Sequence, residues 1–166
     1  MRILALFSIF SLLLVGQTAF AKTFAVPSKG EPIATVNLPE TWKPEPYELG
    51  VKATSPDGRV FWEFEEVDGN DVAAATENGM KYFLDQGVVV DEKTIRQNEG
   101  QVNGMRAFDM SFQGTDKIGP AKLGMTVVVT NKPDKFVIML YWGDAEGEKA
   151  NAKDISAIAQ SIKPTQ

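Results

Sequence analysis

The chain has 166 residues, with 17 Lys or Arg against 22 Asp or Glu for a formal charge of −5, and it contains neither Cys nor His. Those two absences exclude a disulfide framework, a thiolate metal site, a thiol nucleophile, a Ser-His-Asp triad, His-ligated zinc or haem and a phospho-accepting imidazole. An acidic balance with scattered lysines and no basic stripe argues against nucleic acid or anionic lipid as the main partner.

The chain opens with Arg2 and an apolar stretch over residues 3–15, broken only by Ser8 and Ser11. That stretch is too short for a bilayer span, which needs about 20 residues. With the small-x-small pattern Ala19-Phe20-Ala21 it predicts an export signal over residues 1–21, cleaved after Ala21. Residues 22–32, with Pro27, Gly30 and Pro32, are expected to be a leading arm that adds at most a short strand at its end. No later stretch is long and apolar enough to span. Residues 33–166 are expected to form a single domain.

Alternation begins at Ile33, with Ala34, Val36 and Leu38 on one side and Thr35 and Asn37 on the other, until Pro39 ends the run. A Pro-rich loop over residues 39–46 contains Trp42. Residues 47–54 and 60–67 are predicted strands joined by Ser55-Pro56-Asp57-Gly58, a tight-turn sequence with Pro at its second position and Gly at its end. In the second strand Val60, Trp62 and Phe64 share a face, and Phe61, Glu63 and Glu65 share the other. Asn70 or Asp71 can cap a helix with Val72, Ala75, Gly79, Tyr82, Phe83 and Gln86 on its inner side, closed by Gly87. Gly79 in mid-helix implies a loose turn or a close packing contact. Residues 94–102 and 105–113 are predicted to pair around Asn103-Gly104, the strongest two-residue hairpin signal.

Residues 123–130 and 135–142 form the last predicted hairpin, turning at Asn131-Lys132-Pro133-Asp134. Phe136, Ile138, Leu140 and Trp142 lie on one face of its second strand, and Val137, Met139 and Tyr141 on the other. A strand apolar on both faces must be covered on both, so it belongs in the middle of a sheet between layers. Ala152, Ile155, Ile158, Ala159 and Ile162 then recur at helical spacing, ending before Pro164. The order β-β-β-α-β-β-β-β-α, with short links between its later strands, predicts an α+β domain. Its mainly antiparallel sheet is flanked by helices as an α/β/α sandwich.

Three features of this chain resemble the Mog/PsbP-like superfamily. They are Val36-Asn37-Leu38-Pro39-Glu40-Thr41-Trp42, the hairpins at Ser55-Pro56-Asp57-Gly58 and Val102-Asn103-Gly104, and the closing helix with Ser161-Ile162-Lys163-Pro164. That superfamily includes the PsbP extrinsic subunit of photosystem II, a nuclear-import factor that binds a small GTPase, and exported bacterial domains. The resemblance implies an antiparallel sheet between helices and an accessory or binding role. No functional residue carries over, since a His-containing metal site has no counterpart in a chain without His.

Candidate chemistry is sparse. The stretch from Gly119 to Thr126 mimics a phosphate loop in spacing, but Met125 stands where the Lys is needed and a strand follows. The acidic run Glu63, Glu65, Glu66, Asp68 and Asp71 lacks the order of a calcium loop and reads as a solvated strand end beside a helix cap. Asp109 lies between Phe108 and Met110, which places it on the solvent face. No residue is assigned to catalysis, to a metal or to a cofactor. Trp42, Tyr47 and Trp142 lie at loop or strand ends near prolines and are the candidate binding residues, as the edge of a recognition groove; the alternative is that each Trp plugs an end of the core. The expectation is an exported, non-catalytic binding or accessory domain, periplasmic or secreted. Its partner is expected to be a protein of the cell envelope, and the domain itself a monomer or weak dimer. The alternatives are a small-ligand or lipid carrier, and a hydrolase built on two carboxylates.

Overall fold

The structure, a computed structural model, describes residues 21–69 and 72–165. The export signal up to residue 20, the Asn70 or Asp71 cap and the Ala75 side chain lie outside the described residues.

The leading arm contributes more than the sequence suggests. β1 (Ala21–Val26) pairs antiparallel with β2 (Ala34–Pro39) from Ala21↔Pro39 to Val26↔Ala34. On the other side of β2, the two-residue β10 (Lys163–Pro164) completes a three-stranded sheet. Pro164 was expected only to stop the helix. It fits here because an edge strand tolerates a residue with no N–H to donate.

The second sheet has seven strands in the order β3-β4-β5-β9-β8-β7-β6, every neighbouring pair antiparallel. The strand expected over residues 47–54 is a small hairpin, β3 (Glu45–Tyr47) and β4 (Gly50–Thr54), turning at Glu48-Leu49. β5 (Val60–Asp68) follows, then β6 (Val89–Val102), β7 (Met105–Thr115), β8 (Pro120–Val129) and β9 (Lys135–Asp144). Between β6 and β7, Asn103 and Gly104 both have positive φ (51° and 83°), as a two-residue hairpin requires. The stretch from Gly119 to Thr126 is the entry to β8, with Met125 buried.

β6 begins five residues earlier than predicted, and its register shifts between Asp91 and Arg96. Val90 and Ile95 differ in parity yet both pack on the same core. The shift puts them on one face, and it also breaks the alternation by which a strand is recognised in sequence.

β9 sits between β5 and β8, and Val137, Ile138, Met139 and Leu140 in succession are 0–7% exposed. Both faces of this strand are therefore covered. On one face lies α1 (Val72–Asp85), carrying Phe83 into a core with Leu123, Met125, Ile138 and Leu140. Gly79 marks close packing: a Cβ there would lie 3.0 Å from Leu140 Cδ2 and from Met125 Cε. The other face is covered by the three-stranded sheet together with α3 (Ala152–Ser161) and Ile162. The sequence predicted helices alone as the cover. The extra sheet forms from an arm and a tail too short to announce themselves by periodicity.

A further helix, α2 (Ala145–Ala150), had no sequence signal. Its cap, Asp144, accepts hydrogen bonds from the N–H groups of Glu146 and Gly147. Gly147 in the middle lets α2 lie against the residue that precedes β5, since a Cβ there would fall 2.5 Å from Arg59 Cβ.

Two faces differ from expectation. Phe61, Glu63, Glu65 and Val67 point toward α1, not into solvent. Phe61 is buried and stacks on Tyr82 with ring centroids 5.3 Å apart. Asp109 is half-buried, and accepts a hydrogen bond from Thr126 Oγ1 at 2.8 Å across the β7–β8 pair.

Candidate functional site

Trp42, Tyr47 and Trp142 do not converge. Trp42 ends a 3₁₀ turn (Glu40–Trp42) after β2 and is fully buried in the core beneath the small sheet. Its Nε1 donates to Asp154 Oδ2 of α3 at 3.1 Å. Trp142 lies on the opposite face of the large sheet, among the residues packed under α1, and its buried Nε1 has no partner. Tyr47 stands on edge strand β3, on the α1 face.

Trp42 borders a cleft that Tyr47 does not line, although Glu45 of the same strand does. Where the 3₁₀ turn meets the β4–β5 turn, an open cleft of about 350 Å³ is bordered by Trp42, Lys43, Glu45, Lys52, Phe61 and Tyr82. Lys43 is in the left-handed region (φ 49°), and Lys52 pairs with Glu45 at 3.4 Å. Glu45, Lys52 and Glu63 stand in register across β3, β4 and β5, as do Tyr47, Gly50 and Glu65. Gly50 has no side chain, and a Cβ there would collide with the Phe64 carbonyl. Tyr47 reaches across β4 at this position. Its hydroxyl reaches Glu63 Oε1 at 2.7 Å and Glu65 Oε2 at 2.9 Å.

The electrostatics follow from that crossing. Burial pushes the Tyr47 hydroxyl far above the usual phenol range, and the charges and hydrogen bonds of Glu63 and Glu65 push it further. Burial also raises Glu63, with Glu65 adding to the effect, while the Tyr47 hydrogen bond and Lys52 work against it. The Tyr82 hydroxyl is raised by burial and by the negative charges of Glu63 and Glu45. Perturbed groups beside a cleft mark a candidate site on physical grounds. The sequence reading missed the glutamates by treating their face as solvated. Phe61 and Val67 bracket them in the alternation, and that was the available signal.

A second open cleft, of about 370 Å³, lies on the same face farther along the sheet. α1 does not reach the far halves of β6 and β7, and Phe108, Met110, Met125 and Val127 floor the gap, with Thr76 and Gln97 at its walls. Phe108 is 40% exposed. The Arg106 guanidinium lies 4.6 Å from its ring centroid and donates from Nε to Glu99 at 2.7 Å. Methionine floors adapt to differently shaped apolar groups. Among the described residues no group of three or more acidic side chains is placed to hold a metal ion, and no helix is long and apolar enough to cross a membrane.

Neither a family model nor a curated protein sequence matches this chain. Solved structures do. LpqN of Mycobacterium tuberculosis, described as involved in cell envelope biogenesis, is similar over 88% of this chain and 92% of its own, at 11% identity and a TM-score of 0.53. A protein from Bacteroides thetaiotaomicron is similar over 87% of this chain, at 11% identity and a TM-score of 0.55; this chain spans about half (48%) of that one. The Ran-binding protein Mog1p of Saccharomyces cerevisiae is similar over 88% of this chain and 96% of its own, at 9% identity and a TM-score of 0.50. At such identities the likeness is one of architecture, and the fold of this chain is Mog/PsbP-like.

Proposed function

We propose that this protein is an exported, non-catalytic binding or accessory domain of the cell envelope, in the periplasm or the medium, whose partner is an envelope protein. Its seat for that partner is the apolar cleft at Phe108. The observation that carries this reading is an aromatic ring left 40% exposed over a floor of Met110, Met125 and Val127. LpqN, a protein of cell envelope biogenesis with similar architecture, supports the location. Mog1p, a Ran-binding protein of similar architecture, supports the role.

The non-catalytic part rests on Glu63 and Glu65. Both carboxyls are engaged by the Tyr47 hydroxyl, at 2.7 Å and 2.9 Å, which favours a structural role for the pair.

Affinity capture from the organism's own envelope tests the role. Phe108→Asp is expected to abolish capture of the partner while leaving the melting temperature within a few degrees of wild type. Undiminished capture by that variant contradicts the reading. The same apolar floor also suits a small apolar ligand. Native mass spectrometry of envelope-purified protein separates the two, since a carrier arrives with added mass.

A further inference from the structure

A phenol carries one hydrogen, and an ionised carboxylate carries none. The Tyr47 hydroxyl nevertheless stands within hydrogen-bonding distance of two carboxyl groups, 2.7 Å from Glu63 Oε1 and 2.9 Å from Glu65 Oε2. With both glutamates ionised, Tyr47 could donate to one, and the other contact would set a phenol lone pair against a charged oxygen. One O–H shared between two carboxylates gives two weakened bonds, whereas a second hydrogen on one of the carboxyls makes each contact a full hydrogen bond. Glu63 is the better holder, because burial and the neighbouring Glu65 charge favour its neutral form.

We propose that Glu63, Tyr47 and Glu65 form a proton-binding site that pins edge strand β3 to the sheet. The Glu63 carboxyl donates to the Tyr47 oxygen, and the Tyr47 hydroxyl donates to the Glu65 carboxylate. β3 has only three residues and pairs only with β4, so this relay is its side-chain tie to β5, beside the Glu66 N–H that donates to the Leu49 carbonyl in the β3–β4 turn. The other titratable groups on this face are Lys52 of β4, Glu45 of β3 and Tyr82 of α1. Lys52 favours loss of the proton, Glu45 engages Lys52, and Tyr82 stays neutral.

The sign of the effect follows. A carboxyl raised in the folded state stabilises fully below its unfolded value of 4.5, and that stabilisation is lost as pH rises through the raised folded value. Proton loss then sets two carboxylates around one phenol and loosens β3. Glu45, two residues from Tyr47, lines the polar cleft, so the cleft wall moves with the strand. The inference is independent of the binding role proposed for the Phe108 cleft.

The test is a pH titration of the isotope-labelled full protein by NMR, following glutamate side-chain carboxyls and the Tyr47 and Gly50 amides together. One glutamate is expected to titrate above the ordinary value of 4.5, with both amides moving on the same curve. In Glu63→Gln, whose amide donates at every pH, that titration is expected to vanish and the two amides to keep their low-pH positions up to pH 8. In Tyr47→Phe the carboxyl is expected still to titrate, but the amides no longer to follow. The proposal is overturned if every wild-type glutamate titrates in the ordinary range, or if the amides of Glu63→Gln move as those of wild type do.

Discussion

Single side chains hold the two covers of the sheet in place, and each carries a measurable cost. Trp42 is wholly enclosed between the small sheet and α3, and its indole N–H is tied to Asp154. Trp42→Ala is expected to lower stability by about 3–5 kcal/mol in urea unfolding, as for other buried large-to-small changes. A loss under about 1 kcal/mol would falsify the view that it plugs the core. Asp144 has a different role. Burial raises its carboxyl, but the Gly147 N–H, the Arg59 guanidinium at 3.1 Å and the Glu146 N–H outweigh that and hold its pKa below 3.8. A depressed acid stabilises above its unfolded value and stops doing so as pH falls through its folded one. Asp144→Ala is expected to cost about 1–3 kcal/mol at neutral pH through the lost cap and the lost Arg59 ion pair, leaving Arg59 with Glu146 alone. Below pH 3.8 that gap is expected to close, and a gap independent of pH contradicts the assignment.

Between elements, small residues set the distances. α2 lies against the residue that precedes β5 because Gly147 has no Cβ to meet Arg59. Gly147→Ala is expected to cost about 1–3 kcal/mol despite the better helix propensity of Ala, because the contact is with the root of a side chain and with backbone that cannot swing away. A variant as stable as wild type by calorimetry would show that α2 is not seated there. The element scale also shows what sequence can and cannot reveal. Asn103-Gly104 and the two-sided alternation of residues 135–142 were legible, because each encodes a purely local requirement. β10 was not, since two residues have no period. α2 was not, since a six-residue helix with Gly at its centre carries no apolar stripe. The start of β6 was hidden by its bulge. Among the candidate site residues, Tyr47 lay where a perturbed cluster does occur. Its partners Glu63 and Glu65 were invisible because register across β3, β4 and β5, not sequence spacing, brings them together.

On the scale of the whole molecule, a seven-stranded sheet is closed on one face by a small sheet with α3 and on the other by the single helix α1. One helix cannot shield the full width of seven strands, and the shortfall falls at Phe108, Met110 and Val127. The cleft at Phe108 thus follows from the proportions of the fold, and its exposed ring is the seat proposed for a partner. Stability and recognition are then separable: the core around Leu140 and Val137 answers to unfolding experiments, and the cleft answers to binding experiments.

The most direct measurement places a photo-crosslinking benzophenone side chain at position 108 in living cells. The same group at position 118, where Ile118 is 50% exposed in the β7–β8 turn, serves as the comparison. The account predicts a discrete crosslink to an envelope protein from position 108 and none from position 118. Equal crosslinking from both positions, or none from position 108, contradicts it.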